Sequence, residues 1–255
     1  AFGEGVAWLK TRYELVHSPD IFSREGYLAG SDSHRLRDLQ DAIHDPSVDA
    51  ILCARGGFGA TRLLPQLELN EIAAANKLIV GFSDITALHS LWARAGVRSL
   101  HAPMVAALGR ASEPVRNEWI SALETPAAAR RELLEVVSPG ERDGPVAGIL
   151  FGGNLAVLGA LNGTPYAPPL KGAILFLEDV GERPYRFDRM LTTLHQSGWF
   201  DEIAGLILGS FTEGDPGPDG VTIDEVYHRH FAGTRFPVLS GFPAGHIDEN
   251  CPLPL

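Results

Sequence analysis

Residues Leu78–His89 read Leu-Ile-Val-Gly-Phe-Ser-Asp-Ile-Thr-Ala-Leu-His, an apolar run that ends in a glycine and passes through a serine into a helical pattern. The run predicts a buried strand, and the apolar spacing from Ile85 to Ala95 predicts an amphipathic helix directly after it. A strand that leads at once into a helix is the repeating unit of parallel α/β sheets. This stretch therefore predicts an α/β fold, with ligands bound at the carboxyl ends of its strands.

The same alternation extends along the chain and divides it into two parts. Further strands are predicted at Ala50–Cys53, Val146–Phe151, Ala173–Leu177, Leu206–Leu208 and Val238–Leu239. Helices are predicted near Ala60–Leu67, at Val115–Leu123, around the apolar face of Phe187, Met190, Leu191 and Leu194, and at Ile223–Phe231, with a loop at Glu213–Gly220. The stretch Glu124–Asp143 has no apolar stripe. We therefore expect an N-terminal domain at 1–125, a crossing segment at 126–145 and a C-terminal domain at 146–255.

Composition narrows the classes of function. Of the 255 residues, 45% are apolar, which is ample for a buried core. The formal charge of −11 opposes binding to nucleic acid or to an anionic membrane, so we expect neither partner. The cysteines Cys53 and Cys251 form no CxxC pair, and we expect no metal and no cofactor. Because no apolar stretch has the length of a membrane span and no signal-peptide pattern opens the chain, we expect a cytoplasmic protein.

Ser83 has two interpretations. A serine on a tight strand-to-helix turn stands clear of the sheet, and the amides after it stabilise an oxyanion, which suits a nucleophile. Alternatively, Ser83 caps a helix that begins at Asp84, since serine is favoured at that position. The stretch also departs from the pattern G-x-S-x-G, because Ile85 fills the fifth position.

A glycine-rich stretch, Arg55–Gly59, follows the predicted strand that ends near Ala54. Glycines allow the backbone to approach a bound group and to turn its amides inward. The stretch contains neither G-x-G-x-x-G nor G-K-[ST], which argues against a nucleotide phosphate site. A tight turn without function and an anion or oxyanion site remain as alternatives.

Two more polar residues follow predicted strands. Glu178 comes after Ala173–Leu177, and His246 comes after the strand-like run that ends at Phe242. Each has a plain interpretation, as a solvated turn residue or a loop histidine. Together with Ser83 they form a chemically complete set, in which the histidine removes the serine proton and the carboxylate stabilises the imidazolium.

Several blocks of the sequence resemble, in order, the LD-carboxypeptidase family of serine peptidases. They are Arg-Gly-Gly-Phe-Gly-Ala-Thr-Arg-Leu-Leu-Pro at 55–65, Gly-Phe-Ser-Asp-Ile-Thr-Ala-Leu-His at 81–89, Gly-Gly-Asn-Leu-Ala at 152–156, Phe-Leu-Glu-Asp-Val at 176–180 with Tyr-Arg-Phe-Asp-Arg-Met-Leu at 185–191, and Gly-His at 245–246. The blocks span most of the chain, and several in the family's order are more specific than any one of them. The chain is identified as a member of this family.

The resemblance implies Ser83 as nucleophile, Glu178 as the carboxylate and His246 as general base. It also implies an N-terminal flavodoxin-like or class I amidotransferase-like parallel-sheet domain and a C-terminal swivelling β/β/α domain. Family members typically remove the terminal D-alanine from murein tetrapeptide in the cytoplasm, and they often dimerise. We therefore expect a homodimer that hydrolyses an L,D-amide of a small peptide in peptidoglycan recycling, with its active site where the two domains face each other.

Further residues are assigned on the strength of this resemblance. We expect the backbone amides of Asp84 and Gly57 to form the oxyanion hole. Arg55, Arg186 and Arg189 are candidates for binding the substrate's carboxylates, although Arg186 and Arg189 are equally well explained as surface charges on their helix.

The sequence departs from the family in two respects. Phe58 stands where the family often has tyrosine, which removes a hydroxyl. The chain also opens on what resembles the family's first helix and stops at Leu255, so we expect the first strand and the closing segment to lie outside this sequence.

Two alternative functions stay open. The microcin C self-immunity branch of the family cleaves an aminoacyl-nucleotide amide with the same triad, and it calls for an aromatic platform that the sequence does not identify. The other alternative is a non-catalytic ligand-binding module in which the three residues are incidental.

Overall fold

The computed structural model describes residues 1–125, 132–141 and 144–255. The chain divides into two compact units. The first comprises Ala1–Pro126 together with Pro252–Pro254, and the second comprises Ala127–Cys251 together with Leu255.

The described residues form nine strands and nine α-helices. The strands are β1 (Ala50–Leu52), β2 (Leu78–Gly81), β3 (Ser99–His101), β4 (Glu135–Ser138), β5 (Leu150–Asn154), β6 (Ile174–Val180), β7 (Gly205–Thr212), β8 (Val238–Ser240) and β9 (Leu253–Pro254). The helices are α1 (Phe2–Leu9), α2 (Asp32–His44), α3 (Leu69–Ala75), α4 (Thr86–Arg94), α5 (Val105–Leu108), α6 (Glu113–Glu124), α7 (Leu155–Leu161), α8 (Pro184–Gln196) and α9 (Ile223–Phe231).

The sheet of the first unit has the strand order β1-β2-β3-β9. The first three strands are parallel, and β9 pairs antiparallel with β3, placing Leu253 opposite His101. Val80 and Leu100 from adjacent strands pack in one buried cluster with Leu9 of α1 and Trp119 of α6. Because helices cover these strands, their residues are almost continuously apolar, as expected of a parallel sheet.

The sheet of the second unit has the strand order β4-β8-β7-β6-β5. Strands β5 to β8 are parallel, and β4 lies antiparallel at the edge. The predicted apolar face of α8 is confirmed at Phe187, Leu191 and Leu194, which are fully buried, whereas Met190 is only partly buried. Helix α9 begins and ends where the sequence predicted it, with Thr222 and Glu225 forming a capping box at its start.

The predicted helix near Ala60–Leu67 is wrong. This stretch forms two 3-10 turns, Ala60–Arg62 and Leu64–Gln66. Pro65 lies in the second turn and has no amide hydrogen for an α-helical bond, so a continuous helix cannot form there.

The sequence also missed strand β4, which lies inside the predicted crossing segment. Val136 pairs with Leu239 of β8, but its side chain is 59% exposed, so this edge strand shows no apolar pattern. Residues 126–131 and 142–143 of the same segment lie outside the described residues.

Two strands that carry site residues extend beyond their predicted ends. Strand β5 begins four residues later than predicted and continues to Asn154, and β6 continues to Val180. Glu178 therefore lies within β6 and is held by its ladder, opposite Asn154 of β5.

Candidate active site

Ser83 has an unusual backbone conformation. Its φ is +63°, in the left-handed region that non-glycine residues rarely adopt. It begins a 3-10 turn, Ser83–Ile85, between β2 and α4, and the residue at the N-cap position of that turn is Phe82. Helix α4 begins at Thr86 with Ile85 at its N-cap position, so the interpretation of Ser83 as the cap of a helix that begins at Asp84 is wrong. A serine in a strained conformation between a strand and a helix has the geometry of a nucleophile elbow.

Packing at Gly81 explains why this turn tolerates an isoleucine at its fifth position. A Cβ atom at Gly81 would lie 2.9 Å from Cγ1 of Ile85. The missing side chain at Gly81 thus leaves the space that Ile85 fills, and Ile85 is itself buried. One glycine and one apolar side chain make the tight turn here, without the second glycine of the G-x-S-x-G pattern.

The glycine-rich loop passes beside Ser83. A Cβ atom at Gly56 would lie 3.1 Å from Cβ of Ser83 and 3.3 Å from its Oγ. Gly57, the next residue, has a φ of +127° and open space around it. The backbone amide expected to serve in an oxyanion hole is thus carried by the residue that directly follows this contact.

The side chain of Asp84 fixes the far end of that loop. Its Oδ2 accepts a hydrogen bond of 2.8 Å from the backbone amide of Ala60. Burial raises the pKa of Asp84, while the Ala60 hydrogen bond and the charge of Arg35 act in the opposite direction. Asp84 therefore has a structural task in its side chain, separate from the role expected for its backbone amide.

A buried histidine that the sequence did not single out supports the strand before Ser83. His89 is fully buried in α4, and its Nε2 lies 2.9 Å from the carbonyl oxygen of Gly81. Burial lowers the pKa of His89 to about 3, so its ring is neutral at physiological pH and donates Nε2–H to that carbonyl. His89 closes the sequence block that begins at Gly81, which is the one signal that pointed to it.

The second unit contains a carboxylate–histidine pair. His246 Nδ1 lies 2.7 Å from Oε2 of Glu178. Glu178 is fully buried, and the side chain of His246 is 20% exposed. With Nδ1–H donating to the carboxylate, the neutral ring has its acceptor at Nε2, which is the tautomer that a general base requires.

The loop before His246 depends on a glycine. Gly245 has a φ of +130°, and a Cβ atom there would lie 2.9 Å from Oε2 of Glu178. From β7, the Ser210 amide donates to the Ala244 carbonyl at 2.9 Å, and the Thr212 hydroxyl donates to the His246 carbonyl at 3.3 Å. Strand β7 therefore carries the histidine loop to the buried carboxylate of β6.

The acidic surroundings of His246 make it more basic than an ordinary histidine. Burial acts to lower its pKa, but the hydrogen bond and charge of Glu178, with the charges of Asp179 and Glu213, outweigh burial and raise it. The imidazolium is thus stabilised at the site where a general base accepts a proton.

Asp179 is occupied by a different task. Its carboxylate accepts hydrogen bonds from Asn154 Nδ2 at 2.8 Å and from the Ala156 amide at 2.9 Å. Burial raises its pKa to about 6, against the effect of these hydrogen bonds. Asp179 therefore secures the start of α7, which Asn154 caps by accepting from the Val157 amide.

Both units match one family of proteins. The LD-carboxypeptidase N-terminal domain matches residues 1–102, and the LD-carboxypeptidase C-terminal domain matches residues 147–255. The chain belongs to the LD-carboxypeptidase family.

Relatives and solved structures agree with this membership. A putative carboxypeptidase of Streptomyces coelicolor is 40% identical over 249 residues, covering 94% of this chain and 78% of the relative. The murein tetrapeptide carboxypeptidase of Pseudomonas aeruginosa is 34% identical over 240 residues, covering 90% and 78%. The crystal structure of a muramoyltetrapeptide carboxypeptidase from Oxalobacter formigenes is 32% identical with a TM-score of 0.87, covering 99% of this chain and 87% of that one. The predicted α/β fold class and the family resemblance are confirmed.

The other branch considered from the sequence is more distant. The microcin C7 self-immunity protein of Escherichia coli is 26% identical over 285 residues, covering 100% of this chain and 83% of that protein. A structure of this type in complex with glutamyl sulfamoyl guanosine is 23% identical with a TM-score of 0.83, covering 100% of this chain and 85% of that one, which shows a shared fold.

The three candidate arginines differ in their surroundings. Arg55 is exposed at the start of the glycine-rich loop. Arg186 forms an ion pair with Glu182 near the start of α8, and Arg189 lies over the ring of Tyr185 at 5.8 Å. In this member of the LD-carboxypeptidase family, Arg186 already has a carboxylate partner, so binding a substrate there requires exchange of that partner.

Phe58 forms part of an exposed aromatic pair that the sequence did not reveal. Its ring centroid lies 5.9 Å from that of Tyr27, and the two residues are 53% and 80% exposed. Exposed aromatic pairs of this kind present flat apolar faces to a ligand. Because the two residues are far apart in sequence, no local pattern predicted the pair.

Residues 1–125, 132–141 and 144–255 show neither a metal-binding cluster nor a membrane-spanning helix. They contain no group of three or more His, Cys, Asp or Glu side chains arranged to hold a metal ion. No helix among them has both the length and the apolar character needed to cross a membrane.

Proposed function

We propose that this protein is a serine carboxypeptidase that hydrolyses an L,D-amide and releases the terminal D-alanine of murein tetrapeptide. The observation that carries the proposal is the hydrogen bond of 2.7 Å between His246 and the buried Glu178, in a family whose members are LD-carboxypeptidases. A second observation supports it, since Ser83 has the strained backbone of a nucleophile elbow.

The residues of this chain account for each proton movement. Ser83 Oγ attacks the carbonyl carbon while His246 Nε2 takes the hydroxyl proton, and Glu178 holds the ring and stabilises its charge. The backbone amides of Asp84 and Gly57 donate to the oxyanion. His246 then gives its proton to the departing D-amino acid, and a water molecule activated by His246 releases the second product from Ser83.

The proposed substrate and cellular role are inferred from the names of the relatives. The Pseudomonas aeruginosa and Oxalobacter formigenes relatives are named for a murein or muramoyl tetrapeptide substrate. Arg55, Arg186 and Arg189 are the proposed partners of the peptide's carboxylates. We further propose that the protein acts in the cytoplasm, in peptidoglycan recycling. We also propose that it is a homodimer, and light scattering of the purified protein tests this oligomeric state directly.

A second candidate is hydrolysis of an aminoacyl-nucleotide amide by the same three residues. The exposed pair of Tyr27 and Phe58 favours it, because aromatic faces stack on nucleobases. The lower identity to the microcin C7 self-immunity protein places it behind the peptide substrate.

Parallel assays on two substrates separate the two candidates. Purified protein is incubated with murein tetrapeptide and, separately, with an aminoacyl-sulfamoyl adenosine, and the released D-alanine or amino acid is quantified by chiral chromatography. We expect D-alanine release that Ser83→Ala abolishes. Hydrolysis of the nucleotide analogue alone would establish the second candidate, and no turnover of either together with no labelling of Ser83 by a fluorophosphonate would reject both.

A further inference from the structure

The loop that carries His246 is closed by the side chain of Asn250. Asn250 is 3% exposed, and its Oδ1 accepts a hydrogen bond of 2.9 Å from the backbone amide of Gly245. One residue further on, the Cys251 amide donates to the Pro243 carbonyl at 2.9 Å. The side chain of Asn250 therefore supplies the acceptor for the Gly245 amide within its own loop.

This hydrogen bond restrains Gly245, the residue directly before the proposed general base His246. Gly245 precedes His246, and its φ of +130° and its contact with Glu178 leave it no room for a side chain. A glycine has more conformational freedom than any other residue, so the loop needs an external restraint at this position. Asn250 supplies that restraint through its hydrogen bond to the Gly245 amide.

The other half of the Asn250 amide argues against a purely packing role. Its Nδ2 is buried and makes no hydrogen bond to any of the described residues. Burying an unpaired amide hydrogen donor is costly, and an apolar side chain of similar size would avoid that cost. The hydrogen bond to Gly245 is the one contact here that requires an amide oxygen.

We infer that Asn250 is a positioning residue for the general base: by holding the Gly245 amide, it aims His246 Nδ1 at Glu178. Its catalytic consequence rests on the proposed function, but the orientation of His246 does not. Without Asn250, the imidazole turns away from the carboxylate part of the time, and the protonated ring loses its stabilising partner. The same loss lowers the fraction of protein with Nε2 ready to accept a proton.

The test compares Asn250→Ala with a matched control from the same unit, Asn162→Ala. In the control, the lost side chain is that of Asn162, whose Oδ1 accepts a hydrogen bond of 2.9 Å from Trp199 Nε1. Asn162 lies at the C-terminal end of α7, the opposite end from its N-cap residue, Asn154. For each protein we measure the pKa of His246 by NMR titration, kcat and KM on murein tetrapeptide, and the urea midpoint. In Asn250→Ala we expect the pKa of His246 to fall, kcat to drop at least about tenfold and KM to stay within about twofold. In Asn162→Ala, the urea midpoint falls while the pKa and kcat stay as in the parent.

Two further variants sharpen the result. Asn250→Asp keeps an oxygen that accepts from Gly245 and should restore most of kcat, while Asn250→Ser is too short to reach and should resemble alanine. In a Glu178→Gln background, Asn250→Ala should no longer shift the pKa of His246. If Asn250→Ala is too unstable to assay, Asn250→Ser gives the same readout.

The inference is overturned if Asn250→Ala or Asn250→Ser lowers the urea midpoint yet leaves the pKa of His246 and kcat unchanged. It is also overturned if the pKa shift persists without Glu178. Because the NMR titration needs no substrate, an inactive protein with the expected pKa shifts would reject the proposed function and leave this inference standing.

Discussion

At the scale of single residues, the backbone conformation of Ser83 favours a chemical role for its side chain over a helix-capping role. Left-handed backbone costs a non-glycine residue about 1–2 kcal/mol. The conformation has to be held by the surrounding packing of Gly81, Ile85 and Gly56 against the turn. Backbone strain of this kind clusters at functional sites, which supports the proposal that Ser83 is the nucleophile.

We therefore predict that Ser83→Ala abolishes turnover without unfolding the protein. Removal of a triad nucleophile should lower kcat by roughly four or more decades. Ser83→Gly should be equally inactive but about 1 kcal/mol more stable than Ser83→Ala, because glycine adopts positive φ without strain. Urea denaturation and D-alanine release check the pair. Residual activity within a few-fold of the parent would reject Ser83 as the nucleophile.

The second prediction concerns the buried carboxylate. Glu178→Gln should lower kcat strongly while KM changes little, because an amide neither stabilises the imidazolium nor enforces the tautomer. Steady-state kinetics on murein tetrapeptide measure both constants. Unchanged kinetics would reject Glu178 and transfer the carboxylate role to its neighbour Asp179. The engagement of Asp179 with the start of α7 argues against that outcome.

The third prediction follows from the raised pKa of His246. The base must be neutral to accept the serine proton, so the rate rises with pH through the pKa of His246, at a value above the ordinary 6.5. In Glu178→Gln the residual activity should still increase with pH, but the midpoint of that increase should lie at a lower pH than in the parent. The reason is that the hydrogen bond and charge that raise the pKa of His246 are gone. The pH dependence of kcat/KM is measured for the parent and for Glu178→Gln. A midpoint that is the same in both proteins would contradict the assignment of His246 as the base.

At the scale of structural elements, the glycine before His246 offers a controlled comparison within one loop. Gly245 and Gly241 both have positive φ, but a Cβ atom clashes with Glu178 at Gly245 and meets nothing within 4 Å at Gly241. An alanine would be strained at both positions, but only at Gly245 would its methyl group also meet the proposed catalytic carboxylate.

We predict that Gly245→Ala lowers both stability and kcat, whereas Gly241→Ala lowers stability by about 1–2 kcal/mol and leaves kcat near the parent value. In Gly245→Ala the new methyl group pushes the loop from Glu178 and breaks the histidine hydrogen bond. Urea midpoints and kcat for both variants are the measurement. Equal kcat in the two variants would mean that the close approach at Gly245 has no catalytic importance.

Helix and strand boundaries show how far local pattern reaches at this scale. Apolar periodicity predicted α8 and α9 because each buries one face against a sheet. The same periodicity did not predict β4, because an edge strand with exposed side chains has no apolar pattern. It wrongly predicted a helix across Pro65, because apolar spacing does not account for the missing amide hydrogen of proline.

At the scale of the whole molecule, the proposed mechanism needs no metal ion, because His246 activates the nucleophile. We predict that EDTA leaves kcat unchanged and that added zinc does not increase it. Activity assays before and after dialysis against the chelator give the result. A loss of activity that zinc restores would overturn the serine mechanism.

The sequence by itself determined the fold class, because an apolar run followed by a helical pattern is a local property of the chain. It also determined the family and nominated Ser83, Glu178 and His246, since residue types and their order are written in the chain. Tertiary structure alone decided that His246 donates to Glu178, that Asp179 serves α7 and that Asn250 holds the histidine loop. It also decided the left-handed backbone of Ser83, which is held by the neighbouring loop. These features depend on packing and hydrogen bonds that form only when strands distant along the chain come together, so local propensity does not encode them.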